Sequence, residues 1–299
     1  MNGPFPALDS LRGSTIRHLS YDFAREVGIL SDLSIVSRFV EHYGLGGIDL
    51  VTYLGSEMIG PSVQAAEVAG LLARRLAGAD RPFRLLDIFS GSGATCIPAV
   101  RGLVEEGKEI EVYRVDSSFS AAGGFLKMCG LSDNRQVHEK QEPVDVFKDL
   151  RKHGGSRVFS QRSNFDLVIA DPPHFLALEF LRAEVGESGR RAVEEIANRC
   201  RAFLIYYAHT EQMELCAGIR QVLAGAFDRV YRVIVGGEEM AVCCRSDDSP
   251  EVEAAGQAFV DLFTARYGMK RWQLRFEREP GAPGTVREGA PDEQAGSGT

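Results

Sequence analysis

Long hydrophobic runs are missing from this chain of 299 residues. No stretch of about 18 consecutive apolar residues occurs, so we expect no membrane span. The first residues, MNGPFPALDSLRGSTIRHL, also lack a basic region followed by an apolar core, which a secretory signal would need. These absences predict a cytoplasmic protein.

Cysteine is sparse, and its spacing excludes two classes of protein. The six cysteines, of which Cys243 and Cys244 are adjacent, form neither a disulfide framework nor a CxxC pair typical of zinc sites. No cluster of histidine, cysteine and acidic residues has metal-ligand spacing, so we expect no metal. The thiols are expected to be reduced and to lie in the core.

The chain also has no excess of basic over acidic residues. The chain has 34 Lys and Arg against 42 Asp and Glu, a formal net charge of −8, and a pI of about 5.4. Proteins that bind nucleic acid usually carry a basic surface, because neutralising phosphates contributes much of their affinity. The bulk charge therefore disfavours a nucleic acid partner, although a local basic face is compatible with it. The oligomeric state is not predicted.

Three segments differ in composition. Residues 1–80 are expected to form a helical extension, because SDLSIVSRFVEHYG and GPSVQAAEVAGLLARRLAG both carry apolar residues at helical spacing. Residues 81–275 are expected to form the main domain. Residues 276–299 are rich in Gly, Pro and charge, which predicts a disordered tail.

Short apolar runs alternate with helical patterns through the main domain. This alternation predicts βαβ units and an α/β fold with a mostly parallel, Rossmann-like sheet of seven strands. The last two strands are joined by too short a connection for a crossover, so they should form an antiparallel hairpin. The expected strands are 83–89, 109–116, about 135–141, 165–171, 202–209, 228–236 and 239–245.

A glycine turn follows the first strand, in LLDIFSGSGATCIPAV. Asp87 lies near the strand's end, and Gly91, Ser92 and Gly93 lead into a helix. Such a turn lets a ligand approach the backbone and the free N–H groups of the helix start. It occurs in dinucleotide enzymes, in methyltransferases and in loops without function. The dinucleotide pattern is incomplete here, because Cys96 replaces its third glycine.

Acids also follow the second and third strands. Asp116 can accept hydrogen bonds from two ribose hydroxyls, which fits NAD and S-adenosylmethionine equally. Asp145 can accept from an adenine amino group, with the Val146 N–H facing a ring nitrogen. Either acid can instead be the N-cap of the helix that follows it.

The fourth strand ends in FDLVIADPPHF. Prolines lack a donor for a central strand, so Pro172 and Pro173 must end it. Because they fix φ, the strand-end carbonyls are rigidly aimed. The Asp171 carboxylate and the Pro172 carbonyl can then accept N–H bonds from an amino group and direct its lone pair at an electrophile.

Taken in order, the motifs LLDIFSGSGATCIPA, YRVD, VDVF and DLVIADPPHF resemble class I S-adenosylmethionine-dependent methyltransferases over roughly residues 55 to 245. The Asp-Pro-Pro turn is similar to that of the family's amino-methylating branch, which has Asp, Asn or Ser, two prolines and an aromatic residue. The resemblance implies a catalytic turn of Asp171, Pro172, Pro173 and His174. The cofactor residues that it implies are Ser62, Asp87, Phe89, Gly91, Ser92, Gly93, Asp116, Ser117, Asp145, Val146 and Asp171.

His174 departs from the branch, because it occupies the position of the aromatic ring that stacks on the target base. Imidazole is smaller, polar and able to titrate near neutral pH, so it can stack weakly or act as a base. Phe175 can supply an aromatic face instead, and His174 can also be a helix-start residue without a chemical role. A nucleobase substrate is therefore less secure.

Four functions remain open. The acidic charge and His174 favour an N-methyltransferase acting on a small molecule, whereas the Asp-Pro-Pro turn favours one acting on RNA or DNA bases. A nicotinamide-dependent oxidoreductase is disfavoured by Cys96 and by the Asp-Pro-Pro turn. A non-catalytic partner that only binds cofactor is disfavoured by the intact motifs.

Overall fold

The computed structural model describes residues 33–43, 62–90, 93–116, 129–131, 133–144, 149, 164–170, 187–209 and 213–280. The helices are α1 Leu33–His42, α2 Ser62–Leu76, α3 Ile97–Glu105, α4 Glu187–Arg199, α5 Met213–Ala226 and α6 Ser249–Tyr267. The strands are β1 Phe83–Ile88, β2 Ile110–Asp116, β3 Val137–Pro143, β4 Phe165–Ala170, β5 Cys200–His209, β6 Arg229–Val235, β7 Glu238–Cys244 and β8 Leu274–Arg278. In this part of the chain, no helix is both long and apolar enough to cross a membrane.

The strands form one sheet in the order β3-β2-β1-β4-β5-β7-β6-β8. The first five strands are parallel, and β7 lies antiparallel between β5 and β6. The expected Rossmann-like sheet and its antiparallel hairpin are confirmed. The chain order reverses between β1 and β4, and ligands of such sheets bind at this point, beyond the carboxyl ends of the strands.

The expectation of seven strands is wrong, because the described residues form eight. β8 pairs antiparallel with β6, and Leu274 lies opposite Val235. Its sequence, LRFER, is short and highly charged, so only its pairing with β6 makes it a strand. It also takes in residues 276–278, the first three of the predicted tail, and residues 281–299 lie outside the described part.

Two apolar cores cover the two faces of the sheet. Leu85 and Leu167 point to the core that contains α2, α3 and α6, whereas Leu86 and Val168 point to the core that contains α4 and α5. Side chains alternate between the faces of a strand, so a strand between two helical layers must be apolar on both. β4 is buried along its whole length, and all of its residues except Asp166 are apolar.

A buried carboxylate joins the N-terminal helices to α6. Glu67 of α2 accepts hydrogen bonds from Tyr43 Oη at 3.1 Å and Arg266 Nη1 at 2.6 Å, and also from the Tyr267 hydroxyl. A buried charge is tolerated only when it is paired and hydrogen-bonded, as here. The C-terminal helix therefore packs against the N-terminal helices.

Candidate functional site

The carboxyl ends of β1, β2 and β4 lie side by side at the switch point. Ile88, the last residue of β1, is paired with Val115 on one side and with Ala170 on the other. Asp116 ends β2, and the Asp-Pro-Pro sequence follows Ala170 directly in the chain. The sheet therefore brings Asp87 and Asp116 to one edge, at the strand that leads into Asp171.

The backbone after β1 turns sharply. Phe89 has a left-handed φ of 64°, which is uncommon for a residue with a bulky side chain. The N–H groups of Phe89 and Ser90 both donate to the carbonyl of Val115, at 3.0 and 3.2 Å. These bonds fasten the start of the glycine turn to β2. Strain of this kind is held in place by its surroundings and is frequent at ligand sites.

Asp87 is a buried acid close to this turn. Its side chain is fully buried, and Oδ2 accepts a hydrogen bond from Cys96 Sγ at 2.9 Å. Among the described residues, Oδ1 has no hydrogen-bond partner, and neither has the buried hydroxyl of Ser90. A buried polar atom without a partner is costly, so this oxygen is suited to a donor from outside the described part of the protein.

Burial raises the pKa of Asp87 from 3.8 to about 6, and nearby Asp116 adds to the rise. The Cys96 hydrogen bond and the Arg114 charge oppose it. The folded protein therefore holds this proton more tightly than the unfolded chain, so folding stability falls as pH rises from 3.8 to about 6. Cys96 stays a thiol donor, because burial and Asp87 raise its pKa well above the ordinary value.

Arg114 lies directly under the glycine turn. Gly93 has a left-handed φ of 86°, and a Cβ at this residue would lie 2.6 Å from Arg114 Cζ. The Arg114 side chain is 1% exposed and donates to Glu139 Oε1 at 2.8 Å. The turn is therefore supported by a buried guanidinium that only glycine can approach so closely.

The sequence reasoning did not single out Arg114, Glu139 or the contact of Cys96 with Asp87. The sequence does contain one signal of this buried ion pair: an arginine inside the strand IEVYRVD needs a buried partner. The partner's identity depends on the register, in which β3 places Glu139 opposite Val112, two residues before Arg114.

The other expected site residues divide into two groups. Ser62 begins α2, and Asp116 is half-buried at the end of β2. The remaining residues lie outside the described part of the chain, and their roles stay predictions. They are Gly91, Ser92, Ser117, Asp145, Val146, Asp171, Pro172, Pro173 and His174.

The described edge offers acceptors and backbone N–H groups rather than a metal site. Asp87 and Asp116 can accept hydrogen bonds from amino or hydroxyl groups, and the glycine turn leads into a helix start. No group of three or more His, Cys, Asp or Glu side chains within the described ranges can hold a metal ion. The arrangement suits a small, hydrogen-bonding ligand with donor groups.

No protein-family model and no curated protein matches the sequence. Among solved structures, the chain is similar to a SAM-dependent methyltransferase from Agrobacterium tumefaciens, with 18% identity, a TM-score of 0.41, and coverage of 62% of this chain and 63% of that one. It is also similar to ribosomal protein L11 methylase from Lactobacillus delbrueckii subsp. bulgaricus, with 14% identity, a TM-score of 0.38, and coverage of 61% and 79%. A human methyltransferase 10 domain containing protein gives 15% identity, a TM-score of 0.39, and coverage of 60% and 80%. The chain thus spans less than two thirds of the first of these proteins, and likenesses this low assign it neither a family nor a function.

Proposed function

We propose that the protein is an S-adenosylmethionine-dependent methyltransferase that methylates an amino group held by the turn after β4. The observation that carries the proposal is the buried Asp87, whose Oδ1 has no partner among the described residues. It lies under a left-handed glycine turn at the switch point of the sheet. The motifs LLDIFSGSGATCIPA and YRVD, which resemble those of class I methyltransferases, belong to β1 with the glycine turn and to β2.

The described residues fit the cofactor's chemistry. Asp87 offers an acceptor for a donor group that approaches the turn, and Gly93 has no side chain to obstruct that approach. Asp116 would accept hydrogen bonds from ribose hydroxyls, and Asp145 with Val146, outside the described part, would hold the adenine. S-adenosylmethionine, once bound, would supply an electrophilic methyl group and leave as a neutral thioether.

Transfer to nitrogen demands alignment more than acid–base catalysis, because the leaving group is neutral. The Asp171 carboxylate and the Pro172 carbonyl would accept N–H bonds from the substrate and fix its lone-pair direction. Pro172 and Pro173 would keep both acceptors rigid, so that little reorganisation is needed during the reaction. His174 would stack on a planar substrate or accept a proton from it.

The reaction is tested by incubating the purified protein with labelled S-adenosylmethionine and cell extract separated into metabolites, RNA and protein. Label should enter one fraction, on nitrogen, and only when active protein is present. Absence of label from all fractions, with the protein folded and cofactor bound, would count against a catalytic role and favour a cofactor-binding partner.

Cofactor affinity is expected to depend on the ionisation of Asp87. Its pKa of about 6 in the free protein means that the carboxyl is largely neutral at lower pH. A donor or cation bound at Oδ1 favours the ionised form, so binding tightens as pH rises through this value. We expect the Kd for S-adenosylhomocysteine to fall by up to about tenfold per unit between about pH 5 and 6 and to level off above about pH 7.

Asp87→Asn is the matched control for this pH dependence, because it keeps the side chain's shape but cannot ionise. It should bind more weakly at neutral pH and show a flat profile over the same range. A flat profile in the unaltered protein would remove Asp87 from the binding site.

A further inference from the structure

Trp272 is the only tryptophan of the chain, and it is the one exposed large hydrophobic residue among those described. Its side chain is 77% exposed, although tryptophan usually buries most of its surface. Such an exposure is notable because the residue does not lie in a loose terminus. Trp272 occupies a one-turn helix, Arg271–Gln273, between α6 and β8.

This turn is firmly held. The Lys270 N–H donates to the Gln273 side chain, and the Gln273 N–H donates back to the Lys270 carbonyl, both at 2.9 Å. The Gln273 carbonyl accepts from the Gly236 N–H at 2.9 Å, which ties the turn to the β6–β7 connection. Buried Met269 and Leu274 anchor it on either side. The indole is therefore presented on a rigid support.

Basic residues flank Trp272 in the sequence. Residues 270–278, KRWQLRFER, carry a formal charge of +3 within a chain of net charge −8. Lys270, Arg271 and Arg275 are exposed. Arg271 forms an ion pair with Asp261 at 3.7 Å, and both side chains are 79% exposed, so solvent screens this pair. Glu277 lies further along β8, and Glu238 accepts a hydrogen bond from Tyr206.

The turn lies at the same end of the strands as the candidate site, namely at the carboxyl ends of the parallel strands. β8 begins opposite the end of β6, and the β6–β7 turn lies beside the end of β5. From β4 the order runs through β5, β7 and β6 to β8, so four spacings of about 4.8 Å separate β8 from β4 by roughly 19 Å across the sheet. A small metabolite cannot reach both places, whereas a nucleic acid strand of several nucleotides can.

We infer that Trp272, Lys270, Arg271 and Arg275 form a binding platform for single-stranded nucleic acid. The indole stacks on a base and the cations contact phosphates, a combination that binds strands with little sequence preference. A protein partner would need an apolar patch, and no other large hydrophobic side chain is exposed in the described part of the chain. That the strand is also the substrate rests on the proposed function.

The single tryptophan makes the platform directly measurable in the full chain. Single-stranded oligonucleotides of about 12 nucleotides should quench the tryptophan emission, more strongly than a duplex of the same sequence does. Fluorescence anisotropy of a labelled oligonucleotide should show binding about 5- to 150-fold weaker for Trp272→Ala and nearly unchanged for Trp272→Phe, which retains a stacking ring.

Charge variants separate the platform from general electrostatics. Arg271→Gln with Arg275→Gln should weaken binding and reduce the salt slope by about 1.4, because two phosphate contacts are lost. Arg75→Gln, which removes an exposed cation from the far end of α2, should leave the slope nearly unchanged. Three results would overturn the platform. The first is that Arg75→Gln weakens oligonucleotide binding as much as the Arg271→Gln, Arg275→Gln double variant does. The others are that polyglutamate quenches the tryptophan emission as much as the oligonucleotide does, or that Trp272→Ala binds the oligonucleotide normally.

These measurements need no cofactor, so the platform and the proposed function can fail separately. Methyl transfer to a small molecule without oligonucleotide binding would overturn the platform alone. Binding of single-stranded nucleic acid at Trp272, without affinity for S-adenosylhomocysteine, would support the platform and contradict the proposed methyltransferase function.

Discussion

Replacing Asp171 with alanine is expected to lower the turnover number by about 100-fold or more, while the Kd for S-adenosylhomocysteine changes by less than about threefold. The carboxylate is proposed to hold the substrate nitrogen in line for transfer, and its loss removes orientation that is present before the reaction begins. Ala170, the residue before Asp171, is paired with the last residue of β1, beside the glycine turn. Turnover would be measured with the substrate identified by methyl labelling, and affinity by calorimetry.

Asp171→Asn is the matched control. An asparagine keeps one acceptor oxygen of similar shape, and the amino-methylating branch that the turn resembles also uses Asn at this position. We expect Asp171→Asn to keep turnover within about tenfold of the unaltered protein. Near-normal turnover by Asp171→Ala would contradict the assignment of this turn to catalysis.

Replacing Gly93 with alanine is expected to remove measurable cofactor binding and to lower the free energy of unfolding by about 2 to 5 kcal/mol. The added Cβ would lie 2.6 Å from Arg114 Cζ, and the left-handed φ of 86° is itself unfavourable for alanine. Arg114 cannot move aside without disturbing its ion pair with Glu139. Chemical denaturation and calorimetry would measure the two effects.

Gly78→Ala is the control for the Gly93 variant. A Cβ at Gly78 has nothing within 4 Å, and its backbone is not left-handed. This variant should bind cofactor normally and be as stable as the unaltered protein or up to about 1 kcal/mol more stable. If Gly93→Ala matched it in both measurements, Arg114 would not support the turn as described.

The sheet around the candidate site was predictable because its signals are local. β1, β2, β4 and β5 each contain an apolar run that ends near a polar residue or a turn, and the short Gly236-Gly237 connection allows only a hairpin. Asp87 and Asp116 could therefore be placed at one edge from the sequence. The pairing of β1 with β4 is seen only in the strand order of the folded sheet.

The support beneath the site was not predictable in the same way. The contact of Arg114 with Gly93 depends on how β2 packs under the turn, and its partner Glu139 lies on β3, one of the least apolar strands of the sheet. β8 was missed for a related reason, because LRFER has little strand character until it pairs with β6. Such features arise from tertiary contacts rather than from local pattern.

Trp272 illustrates how total charge can hide a local charge of opposite sign. The net charge of −8 favours a small-molecule substrate, but it averages over the whole chain. The +3 segment around Trp272 becomes informative only when β8 is placed at the same edge as the end of β4. Whether a protein has a basic surface depends on where its charged residues lie in the fold, which composition does not show.

The most direct test of the central claim is calorimetry of the full chain with S-adenosylhomocysteine, with NAD as the comparison ligand. The site built on Asp87 and the glycine turn predicts binding at one molecule per chain with micromolar or tighter affinity, and no detectable heat with NAD. Absence of S-adenosylhomocysteine binding by the folded protein, or NAD binding of equal strength, would contradict it.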